Sequence, residues 1–192
     1  MTFDDEFLAH HGIFGQKWGI RRFQDKFGRL TPEGRLRYSK DSGIEYKESD
    51  SVFISGKVKY DEPLSGPIKN EVRRITKANS SILIGDAPGA DTRVQEYLSE
   101  LGYQRVTVFT TDKEARNNVG NWAVVKIDAS KYEDEREARR QKDIAMTKAS
   151  NKGLAISSED DRPDSATSLN VQRMRDQGSE MAVWDYKNKR FL

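Results

Sequence analysis

The chain has 192 residues, 35% hydrophobic and 33% charged, enough for one modest core and an appendage but not for two cores. Its 33 basic and 31 acidic side chains leave a formal charge of +2, so overall charge marks neither a nucleic-acid binder nor a membrane-surface protein. With no cysteine there can be no disulfide, thiolate metal site or cysteine nucleophile, and the two histidines, His10 and His11, leave the rest of the chain to carboxylates, hydroxyls, Lys and Tyr for any chemistry.

The first residues, Met1 to Glu6, are acidic where a secretory signal would be basic and then apolar, and no apolar run approaches the roughly 20 residues that span a bilayer. The expectation is a soluble intracellular protein without membrane contact. Residues 1–50 read as an extension. Between Lys17 and Lys40 eight Lys/Arg face two acids, interleaved with Trp18, Phe23, Phe27 and Tyr38, and no helical or strand period is sustained. Thr31, Pro32 and Glu33 form a helix-start pattern, predicting a short helix to Tyr38. Adjacent His10 and His11 without further ligands do not suggest a metal site.

From Ser51 onward short apolar runs alternate with helical spacing. Strands are predicted at 52–55, 81–84, 105–109, 153–156 and 181–184, with a weaker one at 123–127; their apolar character on both faces suits a covered parallel sheet. Helical spacing joins Ile68, Val72 and Ile75, then Val94, Leu98 and Leu101. A long charged helix at 133–149 packs through Ala138, Ala145 and Ala149, and a shorter one carries Ala166, Leu169 and Met174. The pattern predicts a mainly parallel α/β sheet of about five strands in a three-layer sandwich over 51–192, preceded by an irregular extension.

Ligands of such sheets collect at the carboxyl ends of the strands. There the loop Gly85 to Thr92 leaves a strand and enters a helix, its two glycines allowing positive φ and close approach of a phosphate or ribose. No Gly-Lys-Ser/Thr follows, and the three-glycine dinucleotide spacing is missing. Asp91 can be an N-cap or first-turn acid of the helix or meet a ligand; Asp86 can bind ribose hydroxyls or be a solvated turn residue. Ser55 and Gly56 end the first strand, suited to a ligand over backbone or to a plain tight turn. Ser165 and Thr167 open the last helix, where hydroxyls cap or coordinate phosphate, and Asn170 just inside it reaches a ligand or solvent. Arg140 and Asp143 are the members of the charged helix to watch for a turn toward the cleft, and Trp122 packs in the core or stacks on a base.

The order Ile54-Ser55-Gly56, Gly85 to Asp91, Lys142 to Met146 with Gly153 to Ile156, and Ser165 to Asn170 resembles the SLOG superfamily of Rossmann-like domains, most closely its YspA-like group. Gly85, Gly89, Ala90 and Asp91 fall on that group's Gly-Gly-Ala-Arg-Gly-Ala-Asp loop, while Asp86 replaces a glycine and Pro88 the arginine. The resemblance implies a nucleotide or nucleotide-derived ligand, with no cofactor required, held by Ser55, Gly56, Gly85, Asp86, Gly89, Ala90, Asp91, Thr92, Ser165, Thr167 and Asn170. The enzymatic LOG branch cleaves ribosyl-base bonds with a Pro-Gly-Gly-x-Gly-Thr-x-x-Glu motif; Asp164 to Asn170 lacks its glycine pair and carries Asn170 near the glutamate's place, which counts against that activity.

The segment from His10 to Phe23, followed by Leu30 to Tyr38, resembles a short module found on tailed-phage and prophage proteins. It implies a phage accessory protein in the host cytoplasm or on the virion head, tethered to a phage structural protein through residues 10–38 with contacts from Lys17, Trp18, Arg21 and Arg22. Three readings follow: a nucleotide-signal binder that counters host defence, an N-glycosidic hydrolase using Asp86 or Asp91 as acid/base, and a nucleic-acid binder akin to DprA. A homo-oligomer is compatible with each.

Overall fold

The structure is a computed structural model, and it describes residues 41–192. The elements run β1 (Ser51–Gly56), α1 (Gly66–Lys77), β2 (Ser81–Gly85), α2 (Ala90–Glu100), β3 (Val106–Thr110), β4 (Ala123–Lys126), a short 3-10 turn (Ala129–Lys131), α3 (Glu135–Lys148), β5 (Lys152–Ser157), α4 (Ala166–Asp176), β6 (Glu180–Asp185) and β7 (Arg190–Phe191). All seven strands join one sheet in the order β4-β3-β2-β1-β5-β6-β7. Every neighbouring pair is parallel except β6 and β7, which form a closing antiparallel hairpin. This is the expected Rossmann-like α/β architecture; beyond the five main strands and the weaker one predicted, the described residues add only β7. The weak 123–127 pattern is the edge strand β4, and β7 is too short to carry a periodic signal.

Side-chain alternation along the strands divides the core into two layers. On one face Val52 and Ile54 of β1 pack with Ile82 and Ile84 of β2, and Ile68, Val72 and Ile75 of α1 with Val94 and Leu98 of α2 cover them. On the other face Phe53, Leu83 and Phe109 meet Met146 of α3 and Met174 of α4. Leu101 and Leu169, expected on packing faces, are exposed; Val171 takes the role expected of Leu169, packing with Ala155 and Val183. Burying about 25 cal/mol for each Å² of apolar surface, this two-sided core supplies the driving force that α-helical propensity alone would not.

Residues 41–50 belong to the same core. Ile44 is buried with the α1 and α2 layer, and the fully buried Glu71 of α1 accepts hydrogen bonds from Ser42, from the Tyr46 hydroxyl at 2.7 Å and from Arg74 at 2.9 Å. Lys152 secures the other side through the Glu45 carbonyl, Asp50 and Glu180.

The strand order decides where a ligand can sit. The chain lays β1 to β4 outward in one direction, then returns through α3 to place β5 on the other side of β1. At this reversal the loops after β1 and β5 diverge to opposite faces and leave a crevice at the carboxyl ends of the strands.

Candidate functional site

A cleft of about 240 Å³ occupies this crevice, on the sheet face that α3 and α4 cover. Residues 53–56 of β1 form one wall, Ala87 and Pro88 of the β2–α2 loop a second, and side chains from α3 and the start of α4 the third. Phe53 and Ser55 reach it together because residues two apart on a strand share a face.

Each glycine near the cleft is required by a protein neighbour. A Cβ on Gly85 would stand 2.5 Å from Asp91 Oδ2 and 3.0 Å from Lys142 Nζ, so the bare backbone lets an acid and a base sit over it. Gly89 is the N-cap of α2 at φ 83°, where a Cβ would strike the Lys57 and Val58 carbonyls. A Cβ on Gly56 would strike Ala90, so that pair sets how closely α2 approaches β1. The room expected for a phosphate over the Gly85 to Thr92 backbone is therefore taken up by the protein itself. Thr92 closes the loop, its hydroxyl donating to the Ala87 carbonyl at 3.0 Å.

The two aspartates of this loop have opposite environments. Asp86 is fully buried and does not line the cleft. It accepts from Thr110 at 2.7 Å and from the Arg116 backbone and guanidinium at 3.2 to 3.3 Å, with Lys142 Nζ at 3.5 Å. Burial opposes its ionisation, but the Arg116 and Thr110 hydrogen bonds and the Lys142 charge overcome that and hold the carboxyl at about 2. Asp86 is thus a permanent anion that organises Arg116 and Lys142, which is neither the solvated turn residue nor the exposed ribose ligand that the sequence allowed.

Asp91 sits inside the first turn of α2, lines the cleft and is buried. Burial pushes its carboxyl up to about 7, with Asp143 adding to the rise and Lys142 opposing it. It does not cap α2, a role that falls to Gly89. Asp143 also lines the cleft, its carboxyl raised by burial, and accepts from Asn170 Nδ2 at 3.2 Å. Asn170 is buried rather than solvent-facing, with its carbonyl taking a 2.7 Å hydrogen bond from Arg173. Ser165 is the N-cap of α4, accepting from the Ser168 N–H at 3.2 Å, and it stands outside the cleft, whereas Thr167 lines it.

Ser55 is 6% exposed, lines the cleft, and its Oγ has no hydrogen-bond partner in the protein. A buried hydroxyl left unpaired costs about 1 to 3 kcal/mol, so an unpaired one in a residue that lines a cleft marks a place where a ligand can repay that cost.

Several cleft residues escaped the sequence patterns. Lys142 is buried in the middle of the Ala138, Lys142, Met146 stripe, whose four-residue spacing is the packing face of α3. A lysine on a charged helix reads as solvated, yet that spacing carried the signal. Of the α3 arginines, Arg139 lines the cleft while Arg140 pairs with Glu137 on the exposed side. Trp122 is a core residue, donating from Nε1 to the Tyr103 carbonyl at 2.7 Å. Lys17, Trp18, Arg21, Arg22, His10, His11 and the 31–38 helix lie outside the described residues.

Among the described residues no three His, Cys, Asp or Glu side chains are grouped to hold a metal ion, and no helix is long and apolar enough to cross a membrane. Fold and cleft together define a Rossmann-like α/β domain with a ligand-sized crevice at its topological switch point. Comparison with family models, curated proteins and solved structures finds no match.

Proposed function

We propose that this protein binds a nucleotide or nucleotide-derived ligand in the cleft between β1, the Ala87–Pro88 loop and the start of α4. The observation that carries the reading is the coincidence of three features at one switch point: a crevice, the unpaired Ser55 hydroxyl, and cations from α3 and the β3–β4 connection. Arg116, Arg139 and Lys142 favour an anionic ligand, and the SLOG resemblance of the same loops supports a nucleotide. The phage-type module at residues 10–38 would tether this binder to a phage partner, and sequestering a host defence signal is the role such a fusion suits. Isothermal titration with ADP-ribose, cyclic ADP-ribose isomers, NAD and nucleoside monophosphates should give saturable heat with at least one. Absence of heat and of any thermal shift across the set overturns the reading.

A second reading rests on Asp91. A cleft carboxyl held near 7 beside a lysine is suited to general acid/base work, and hydrolysis of an N-glycosidic bond is the matching reaction. It predicts release of free base from a bound nucleotide, abolished in Asp91→Asn. Asp86, locked as an anion away from the cleft, has no proton to give at neutral pH.

A further inference from the structure

The cleft is zoned by burial. Its floor is formed by Ser55, Asp91, Lys142, Thr167 and Asn170, each no more than 8% exposed, together with Phe53 and Met146. Its rim carries Arg116, paired with Asp86 and Asp112, and Arg139, paired with the exposed Glu135; their side chains are 40% and 52% exposed, and Pro88 and Val58 also line this part of the cleft. The floor thus offers hydroxyl, carboxyl, amide and ammonium groups, a mixed donor and acceptor set. The rim offers guanidinium groups, which grip phosphate through planar paired donors.

That distribution orients a ligand. A phosphate driven to the floor would meet Asp91 and Asp143 beside a single cation, Lys142, whose Nζ already stands 3.5 Å from the Asp86 carboxylate, whereas at the rim it would meet the two arginines. A sugar hydroxyl both donates and accepts, and it can satisfy Ser55 Oγ, which has no partner of its own. The Asp91 carboxyl, raised to about 7 by burial, can likewise act in both senses near neutrality. Size adds a second constraint: the whole cleft, floor and rim together, is about 240 Å³, below the roughly 300 Å³ at which pockets for drug-sized ligands begin, which matches a sugar phosphate better than a complete nucleotide.

Building on the nucleotide-binding reading, we infer that the cleft takes a phosphorylated pentose end-on, its ring hydroxyls on the Ser55, Asp91 and Asn170 floor and its phosphate at the Arg116 and Arg139 rim. Any nucleobase in the natural ligand then lies beyond the phosphate, outside the cleft, across Pro88 and Val58. Ser55 becomes the residue that distinguishes a hydroxylated ring from its deoxy analogue, because a site built to pair a hydroxyl rejects a ligand that lacks it.

The test is calorimetric titration of the full chain with D-ribose 5-phosphate, 2-deoxy-D-ribose 5-phosphate, AMP and inorganic phosphate. The expected result is saturable binding of ribose 5-phosphate, with the deoxy sugar and inorganic phosphate each at least tenfold weaker. Ser55→Ala, checked by circular dichroism for an intact fold, should narrow the gap between the ribose and deoxyribose compounds to less than threefold. AMP binding without ribose 5-phosphate binding overturns the sugar-first orientation while leaving nucleotide binding standing. Equal affinity for the two sugars overturns it as well. Failure of every compound here, together with failure of the wider nucleotide set, removes both readings.

Discussion

Two buried polar groups at opposite ends of the sheet, Glu71 and Ser55, are treated in opposite ways. At the amino end, Glu71 is fully buried and every oxygen is taken, by Ser42, Tyr46 and Arg74. At the carboxyl end, Ser55 is nearly as buried and its hydroxyl is unpaired, while Asp91 and Asp143 are held above their usual range by burial. A closed network resists change and ties residues 41–50 to α1; an open one stores interaction for something that is not part of the chain. Burial alone therefore does not separate scaffold from site; among the unpaired buried groups, which include Tyr97 OH and Trp184 Nε1 in the core, Ser55 stands apart because its residue also lines the cleft.

The largest expected effect tests the closed end. Glu71→Ala leaves Tyr46 and Ser42 without their acceptor and should cost about 3 kcal/mol, less than the fullest values for a buried pair because Arg74 is one-third exposed. Urea unfolding would measure it, and a loss below about 1 kcal/mol would break the contrast between the ends.

Next comes the pH response of Asp91. Its folded value of about 7 lies above the unfolded one, so the native state holds a proton that the unfolded chain releases between about pH 4 and 7. The stability associated with that proton is present below pH 4 and is lost as pH rises through 7. Asp91→Asn should accordingly match the wild type near pH 4 and be clearly the more stable of the two at pH 8, as read from melting temperature against pH. Identical profiles would remove Asp91 as a strained group.

Gly89→Ala should cost about 2 kcal/mol, since alanine is strained at φ 83° and meets the Lys57 and Val58 carbonyls. Melting would show it, and ligand affinity should fall as the loop shifts. The smallest effect sharpens the comparison most. Ser55→Ala removes an unpaired hydroxyl and should leave stability unchanged or raise it by up to about 1 kcal/mol, in contrast to Glu71→Ala. A clear loss would mean that Ser55 has a structural partner.

Much of the fold was legible. The runs at Val52, Ile82, Val106, Leu154 and Ala182 are apolar on both faces, and only a sheet covered by helices on both sides satisfies that. The exposed edge strand β4 and the two-residue β7 were weak or silent because their pairing comes from neighbours and not from their own burial. The loops that form the cleft were also legible, as strand-to-helix turns with small residues. Roles within those loops were not. Asp86 and Asp91 stand five residues apart, one in the β2–α2 loop and one in the first turn of α2, and nothing local to them says that Arg116, 30 positions away, neutralises the first. Lys142 stands at the four-residue spacing of the α3 packing face, but nothing local to it shows that the Asp86 carboxylate is its partner.

The order of apolar runs and turns was enough by itself to determine the α/β class, the parallel sheet and the end of the sheet where a ligand belongs, because hydrophobic period and turn chemistry are local properties. Which carboxyl is a fixed anion, which is proton-bearing, and which hydroxyl is left open were decided only by tertiary structure. Charge and hydrogen-bond state depend on burial and on partners brought from distant segments, and those are set when α3 crosses back over the sheet to pack on β2 and β3 and against α4.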